Sequence, residues 1–346
     1  MKNQQNLEVI TFLKGYAIFT IVVFHLFQNA GLPAGVEKAL SFGGTGVHTF
    51  FLLSGFGLYL SHLRRPLGIG SFIRKRFSKI YLPYVGIVLF SALLSELIPI
   101  YEQDGYALLG HVLLYKMFDD RIIGSYGYHL WFISTIIQFY LVFPVLVWMK
   151  ERMASPFFML VVGLLSGIWV AVVLALGKEE VRAWYSFFLQ YVWEFGAGMV
   201  LAERYAQRGT WRLPGWGRLA AWALFGLLSY SLMTLYWGTI GQMVNDVPAL
   251  IGYTAVGLLL YRLPRGWIHR FLLFTGAVSY ALYLVHIAVK LTIKSVLPSF
   301  GWPMDLLILP LILGVSYLVA YVYHQRVVSL DFSLRLKAEK PRIKSV

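Results

Sequence analysis

Apolar stretches of about 20 residues, each long enough to cross a bilayer as a helix, recur from one end of this chain to the other. Ten such segments can be marked, at 7–28, 44–63, 79–99, 129–150, 156–176, 186–205, 216–237, 246–262, 271–297 and 304–328. The strict alternation of a barrel strand is absent, and an open sheet would leave backbone groups unpaired in lipid. The pattern therefore predicts an all-α polytopic membrane protein of about ten transmembrane helices. Composition agrees: 58% of the 346 residues are hydrophobic and 13% charged, where a soluble domain carries about a quarter charged residues.

The connections predict an orientation. Basic residues follow the even-numbered segments: Arg64, Arg65, Arg74, Lys75, Arg76 and Lys79 after the second, Lys150 and Arg152 after the fourth, Arg204, Arg208, Arg212 and Arg218 after the sixth, Arg262, Arg265 and Arg270 after the eighth. The tail adds Arg335, Lys337, Lys340, Arg342 and Lys344, whereas the alternate loops hold acids such as Glu102, Asp104, Asp119, Asp120, Glu179, Glu180, Asp246 and Asp305. This is the positive-inside pattern, and it predicts cytoplasmic termini. The formal charge of +14 is then explained by topology and inner-leaflet lipid, with no nucleic acid required.

The absence of cysteine excludes disulfides, thiolate nucleophiles and cysteine metal sites. The first apolar stretch is too long for a signal-peptide core and is expected to remain as a span. Residues 1–330 read as one transmembrane domain and 331–346 as a short basic cytoplasmic tail. Segment 105–128 is too polar and too short to span, so it lies in the outer interface or dips back into the bundle.

Within the first segment, Lys14 and His25 stand eleven residues apart. That is close to three helical turns, so they share one face, about 16 Å apart along the axis. Ionisable groups in a spanning helix turn toward the protein interior and are functional-site candidates. The expected topology places His25 and His286 in the outer half, with Lys290 and Lys294 following His286 on its own face. His48 and His129 open their segments from the same side, so four histidines are expected at one level. Across the membrane from them lies the basic run Arg74, Lys75, Arg76 and Lys79. Glu194 is the acid deep inside a span and needs a partner such as a lysine or histidine.

Several segments together resemble the membrane-bound acyltransferase 3 family. They are Lys14-(x)10-His25, GGTGVHTFFLLSGFGLYL at 43–60, SFIRKRFSKIYLPY at 71–84, YHLWFISTIIQFYLVFPVL from Tyr128, and SYALYLVH at 279–286. Each motif alone is weak; all of them, in order and over nearly the whole chain, are specific. The chain departs from the family pattern at Lys14 and Lys79, where arginine is usual, and at His48, where aspartate is commonest. Pro83 sits one residue late, and the tail YHQRVVSLD lacks a frequent glutamate.

The resemblance implies an enzyme of a bacterial inner or plasma membrane that transfers acyl groups, often acetyl from acetyl-CoA, to sugars and other acceptors. Its partners would be membrane lipid, acyl-CoA and a cell-surface or lipid-linked glycan. A base must take the hydroxyl proton in such a transfer, and a neutral buried imidazole suits that role. His25 is the candidate, as general base or as transient acyl carrier. Lys14 would contact the donor or stabilise negative charge, unless it snorkels to the cytoplasm. His286 would bind the acceptor or orient His25, and His48 joins the catalytic candidates.

Arg74, Lys75, Arg76 and Lys79 suit the phosphates of CoA. His129, Trp131 and Glu194 are candidates for the acceptor side; helix packing, the aromatic belt and a structural ion pair are their alternatives. The glycines at 43–57 lack the GK[ST] ending of a phosphate loop, so nucleotide hydrolysis is not expected. No HExxH or similar spacing appears, so no metal is expected. Because some proteins resembling this family have been assigned export roles, export of a polysaccharide or lipid intermediate is the rival function, and a sensor with a degenerate site a third.

Overall fold

In a computed structural model of the chain, residues 2–28, 30–102, 104–210, 213–297, 301 and 304–328 are described, and no strand forms among them. The tail, at 331–346, and Arg212 lie outside the described residues. In chain order the α-helices are α1 (Lys2–Phe27), α2 (Ala34–Ser41), α3 (Gly46–Arg64), α4 (Ile69–Ser95), α5 (Gly105–Val112), α6 (Trp131–Arg152) and α7 (Ser155–Ala175). They continue as α8 (Arg182–Tyr185), α9 (Phe188–Arg208), α10 (Trp216–Val244), α11 (Asp246–Tyr261), α12 (Trp267–Ala277), α13 (Ser279–Val296) and α14 (Ile308–Tyr323). Each of the ten expected segments falls on one of these helices or a helix pair.

Among the described residues, six helices are by themselves long and apolar enough to cross a membrane, or seven spans if the bent pair α12–α13 counts as one. α3 and α9 reach 19 and 21 residues but carry polar side chains, among them His48, Gln190 and Glu194. Polarity, not length, keeps these two helices from qualifying by themselves. The outer helices α7 and α10 expose Leu160, Leu164, Ile168, Leu224, Leu228 and Leu232. An apolar face of that extent belongs in lipid.

α1 is enclosed by the rest of the bundle. Phe12, Ala17, Ile18 and Val22 have no exposure, and the helix packs against α3, α11, α12 and α13. Close crossings rely on missing side chains. A Cβ on Gly15 would fall 1.8 Å from the Leu272 carbonyl oxygen of α12, and one on Gly198 of α9 would fall 2.0 Å from that of Leu52 on α3.

One expectation needs correction. The ninth segment, read as one span over 271–297, is a pair of helices meeting at 85°. The break at Val278 lets α12 lie tight against α1 through Gly276, whose Cβ position is 2.0 Å from the Thr11 oxygen, while α13 turns away. The seventh segment ends where expected: the apolar span runs Trp216–Gly238, and a break at Gly238 (φ 53°), a conformation glycine adopts readily, sets it apart from the rest of α10.

Part of segment 105–128 packs into the bundle. Tyr84 of α4 lies 2.7 Å from His111 Nδ1, His111 Nε2 lies 3.0 Å from the Ser125 carbonyl oxygen, and Lys116 Nζ donates to that oxygen at 3.3 Å. Both His111 and Lys116 are fully buried. Desolvation of its charged form pushes the Lys116 ammonium down to about 7, and the His111 imidazole down to about 2.

The sign for Lys116 follows from linkage. Between its lowered folded value and the ordinary value of 10.5 the unfolded chain binds more protons, so stability rises with pH across that window. Thermal melts should therefore move up between pH 7 and pH 9 in the wild type and lose part of that slope in Lys116→Met; identical slopes would contradict the burial. Separately, Gly198→Ala should destabilise by about 1–3 kcal/mol through overpacking. Gly57→Ala, with nothing within 4 Å of the added carbon, should melt with the wild type.

Candidate active site

α1 and α13 bring His25 and His286 together. His25 Nδ1 lies 2.8 Å from His286 Nε2, with the rings stacked at 5.1 Å. His286 Nδ1 lies 3.0 Å from the Leu282 carbonyl oxygen and 2.9 Å from that of Tyr283. A carbonyl only accepts, so His286 Nδ1 carries the proton and its Nε2 is an acceptor. His25 must then donate from Nδ1, which leaves the lone pair on His25 Nε2. The network thereby assigns the tautomer that a general base needs.

His129 completes this group from the turn before α6. Its ring lies 4.8 Å from that of His286 and 6.1 Å from that of His25, and among the described residues neither of its buried nitrogens has a hydrogen-bond partner. Tyr283 OH donates to the His129 carbonyl. Lys290, one turn after His286, donates from Nζ to the His25 carbonyl oxygen at 2.5 Å, tying α13 to the end of α1.

His48 does not contact the other histidines. It faces α9 and α11: Nδ1 lies 2.6 Å from Glu194 Oε1, and Nε2 lies 3.6 Å from Asp246 Oδ1. Gln190 Nε2 donates to Asp246 Oδ2 at 2.7 Å. The physical reason is charge: two buried carboxylates attract an imidazole far more strongly than neutral imidazoles do. Glu194 thus has a histidine partner. Among the described residues, His48, Glu194 and Asp246 are the group whose ligand atoms, all within 4.8 Å of one another, have the proximity a metal ion would need.

A cavity of about 470 Å³ runs beside α1. Lys14, Arg76, Lys79 and His324 line one part of it, Ile21, Phe132 and Tyr283 another, and among the described residues its lining includes no Asp or Glu. Ile21 is one helical turn before His25. Phe132 and Tyr283, rings 5.6 Å apart, form the side-chain layer next to the histidines. Arg74 and Lys75 are not in this wall. Trp131 is buried beneath Arg182, whose guanidinium also lies over Tyr128 and Tyr185, at 5.1, 4.5 and 4.5 Å respectively.

The site residues missed by sequence reasoning are Asp246, Gln190, Arg182, Tyr283 and His324. Gln190 stands four residues before Glu194, a spacing that puts both on one face of α9 and was the available signal. Asp246 reads in sequence as an outer-loop acid, and Arg182 has no local signal at all. The tautomer assignment predicts that nitrogen-15 spectra of histidine-labelled protein show His25 protonated at Nδ1 and bare at Nε2. The His286→Leu variant should lose that preference, and an Nε2-protonated His25 in the wild type would contradict it.

The acyltransferase 3 model, described as an acyltransferase domain, matches residues 7–324, almost the whole chain. No curated protein and no solved structure matches. The chain is a multi-pass membrane protein belonging to the acyltransferase 3 family.

Proposed function

We propose that this protein is an O-acyltransferase of a bacterial plasma membrane, moving an acyl group, acetyl in the simplest case, from cytosolic acyl-CoA to a hydroxyl of a cell-surface or lipid-linked glycan. In this reading ten segments span the bilayer and both termini are cytoplasmic. The observation that carries it is the His25 imidazole, held with Nε2 as its lone-pair nitrogen, one turn beyond a cavity whose wall includes three cationic side chains.

Acyl-CoA docks with its phosphates toward Arg76 and Lys79, where charge-assisted hydrogen bonds favour an anion. Lys14 lies deeper along α1, and the pantetheine arm follows the cavity past it toward Phe132 and Tyr283. The acceptor hydroxyl gives its proton to His25 Nε2 as its oxygen attacks the thioester carbonyl. The carbon–sulfur bond then breaks, and the imidazolium returns the proton to the departing thiolate. His286 accepts from His25 Nδ1–H and favours the charge that His25 acquires. His129, unpaired and beside both rings, can donate to the carbonyl oxygen as negative charge develops there. His48 and Glu194 act from the neighbouring cluster, and Trp131 stands at the acceptor side.

His25→Ala should fold and insert normally and lose about 10²–10⁴ in acyl transfer, read as glycan acyl mass and as release of free CoA by purified protein. Wild-type activity in that variant would contradict the role. His286→Gln, whose amide oxygen can still accept from Nδ1–H, should keep more activity than His286→Leu. Substrate flux without CoA consumption would instead mark an exporter.

A further inference from the structure

The polar group around His48 draws its side chains from three helices: His48 at the start of α3, Gln190 and Glu194 one turn apart on α9, and Asp246 at the start of α11. Glu194 has no exposure and Gln190 is 3% exposed, while the His48 and Asp246 side chains keep 14% and 11%, which leaves a way in past them. Hydrogen bonding does not use up the oxygens. Gln190 Nε2 donates both to Asp246 Oδ2 at 2.7 Å and to the Met243 carbonyl oxygen at 2.9 Å. Two acceptors fix the orientation of the amide, so the other atom is its carbonyl oxygen. That Gln190 Oε1 and Glu194 Oε2 are both buried, and among the described residues neither has a donor. Charge is unbalanced as well, since two carboxylates outweigh even a protonated imidazole. A water could serve the oxygens but not the charge; surplus acceptors with surplus negative charge in a dry interior favour a cation.

We infer that the His48–Glu194–Asp246 group binds a divalent transition-metal ion, with Zn²⁺ the best chemical match, and that it thereby ties α3, α9 and α11 together. Each of the three residues offers a ligand atom within 4.8 Å of the others. His48 Nε2 and Asp246 Oδ1 stand 3.6 Å apart, near the roughly 3.4 Å that separates two ligands each about 2.0–2.1 Å from zinc. The 2.6 Å contact of His48 Nδ1 with Glu194 Oε1 orients the ring as a carboxylate does behind a metal-bound histidine. Imidazole nitrogen with carboxylate oxygen suits zinc better than Mg²⁺ or Ca²⁺, which favour all-oxygen shells. A divalent ion with neutral His48 and both carboxylates ionised brings the group to zero net charge. The motif spacings that led to the expectation of no metal run along one segment, whereas these ligands converge from three helices.

The test measures metal in the full-length protein, purified without a histidine tag, loaded with Zn²⁺ and then freed of excess. The wild type should hold one zinc per chain, give an X-ray absorption spectrum that fits nitrogen and oxygen ligands at about 2.0–2.1 Å, and melt higher with zinc than after chelation. Asp246→Asn and Glu194→Gln, which keep the shape of each side chain, should weaken zinc binding about tenfold or more. His62→Gln, at the separate His62–Glu151 pair, should bind zinc as the wild type does. If the two cluster variants fail to fold, the stoichiometry, absorption spectrum and zinc-dependent melting of the wild type still decide. No stoichiometric zinc in the wild type, zinc retained in folded forms of both cluster variants, or uptake of Mg²⁺ in preference to Zn²⁺ would overturn the inference.

Discussion

Much of this molecule depends on one hydrogen bond between two imidazoles, His25 Nδ1 to His286 Nε2, made in the interior of an apolar helix bundle. A polar ring there is costly unless paired, and pairing two neutral rings requires one to donate and the other to accept. The backbone of α13 breaks that symmetry by taking the proton of His286 Nδ1. The direction of the bond passes to His25, and with it the position of the lone pair. α1 and α13 must stay in register for this to hold, which is where the Lys290 bond to the His25 carbonyl contributes. The tight glycine crossings of α1 with α12 hold the preceding half of the broken pair.

The same need for pairing explains the second polar centre. His48 stands where the family most often has aspartate, and in this chain it sits between Glu194 and Asp246. A histidine between two buried acids offsets charge that an aspartate at 48 would have compounded. The two centres are separated by an aromatic layer: Tyr191 packs on Phe51 at 4.5 Å, and Phe132 lies against Phe51 and Tyr283 at 5.0 and 5.6 Å. Phe132 and Tyr283 of that layer also line the cation-lined cavity.

Helix positions were readable from the sequence because membrane helices obey a one-dimensional rule, apolar length, and all ten segments coincide with helices. What was not readable depended on tertiary contact. The break at Val278 has no proline to announce it and follows from the crossing of α12 with α1. His25, His286 and Lys14 were legible as interior groups from depth and helical phase. Their hydrogen-bond direction was not, because it is set by carbonyls of another helix. The partners of His48 were not legible, since helical phase says which level a residue occupies but not which neighbour it faces. Arg182 and Asp246 gained their surroundings only when distant segments folded around them.

Proteoliposomes that hold the protein in one orientation test most directly whether His25 serves two substrates arriving from opposite faces. With acyl-CoA confined to the side of Arg76 and Lys79 and the glycan acceptor confined to the other, acylated glycan and free CoA should appear on opposite sides of an intact bilayer. Transfer that occurs only when both substrates share one side would contradict the account.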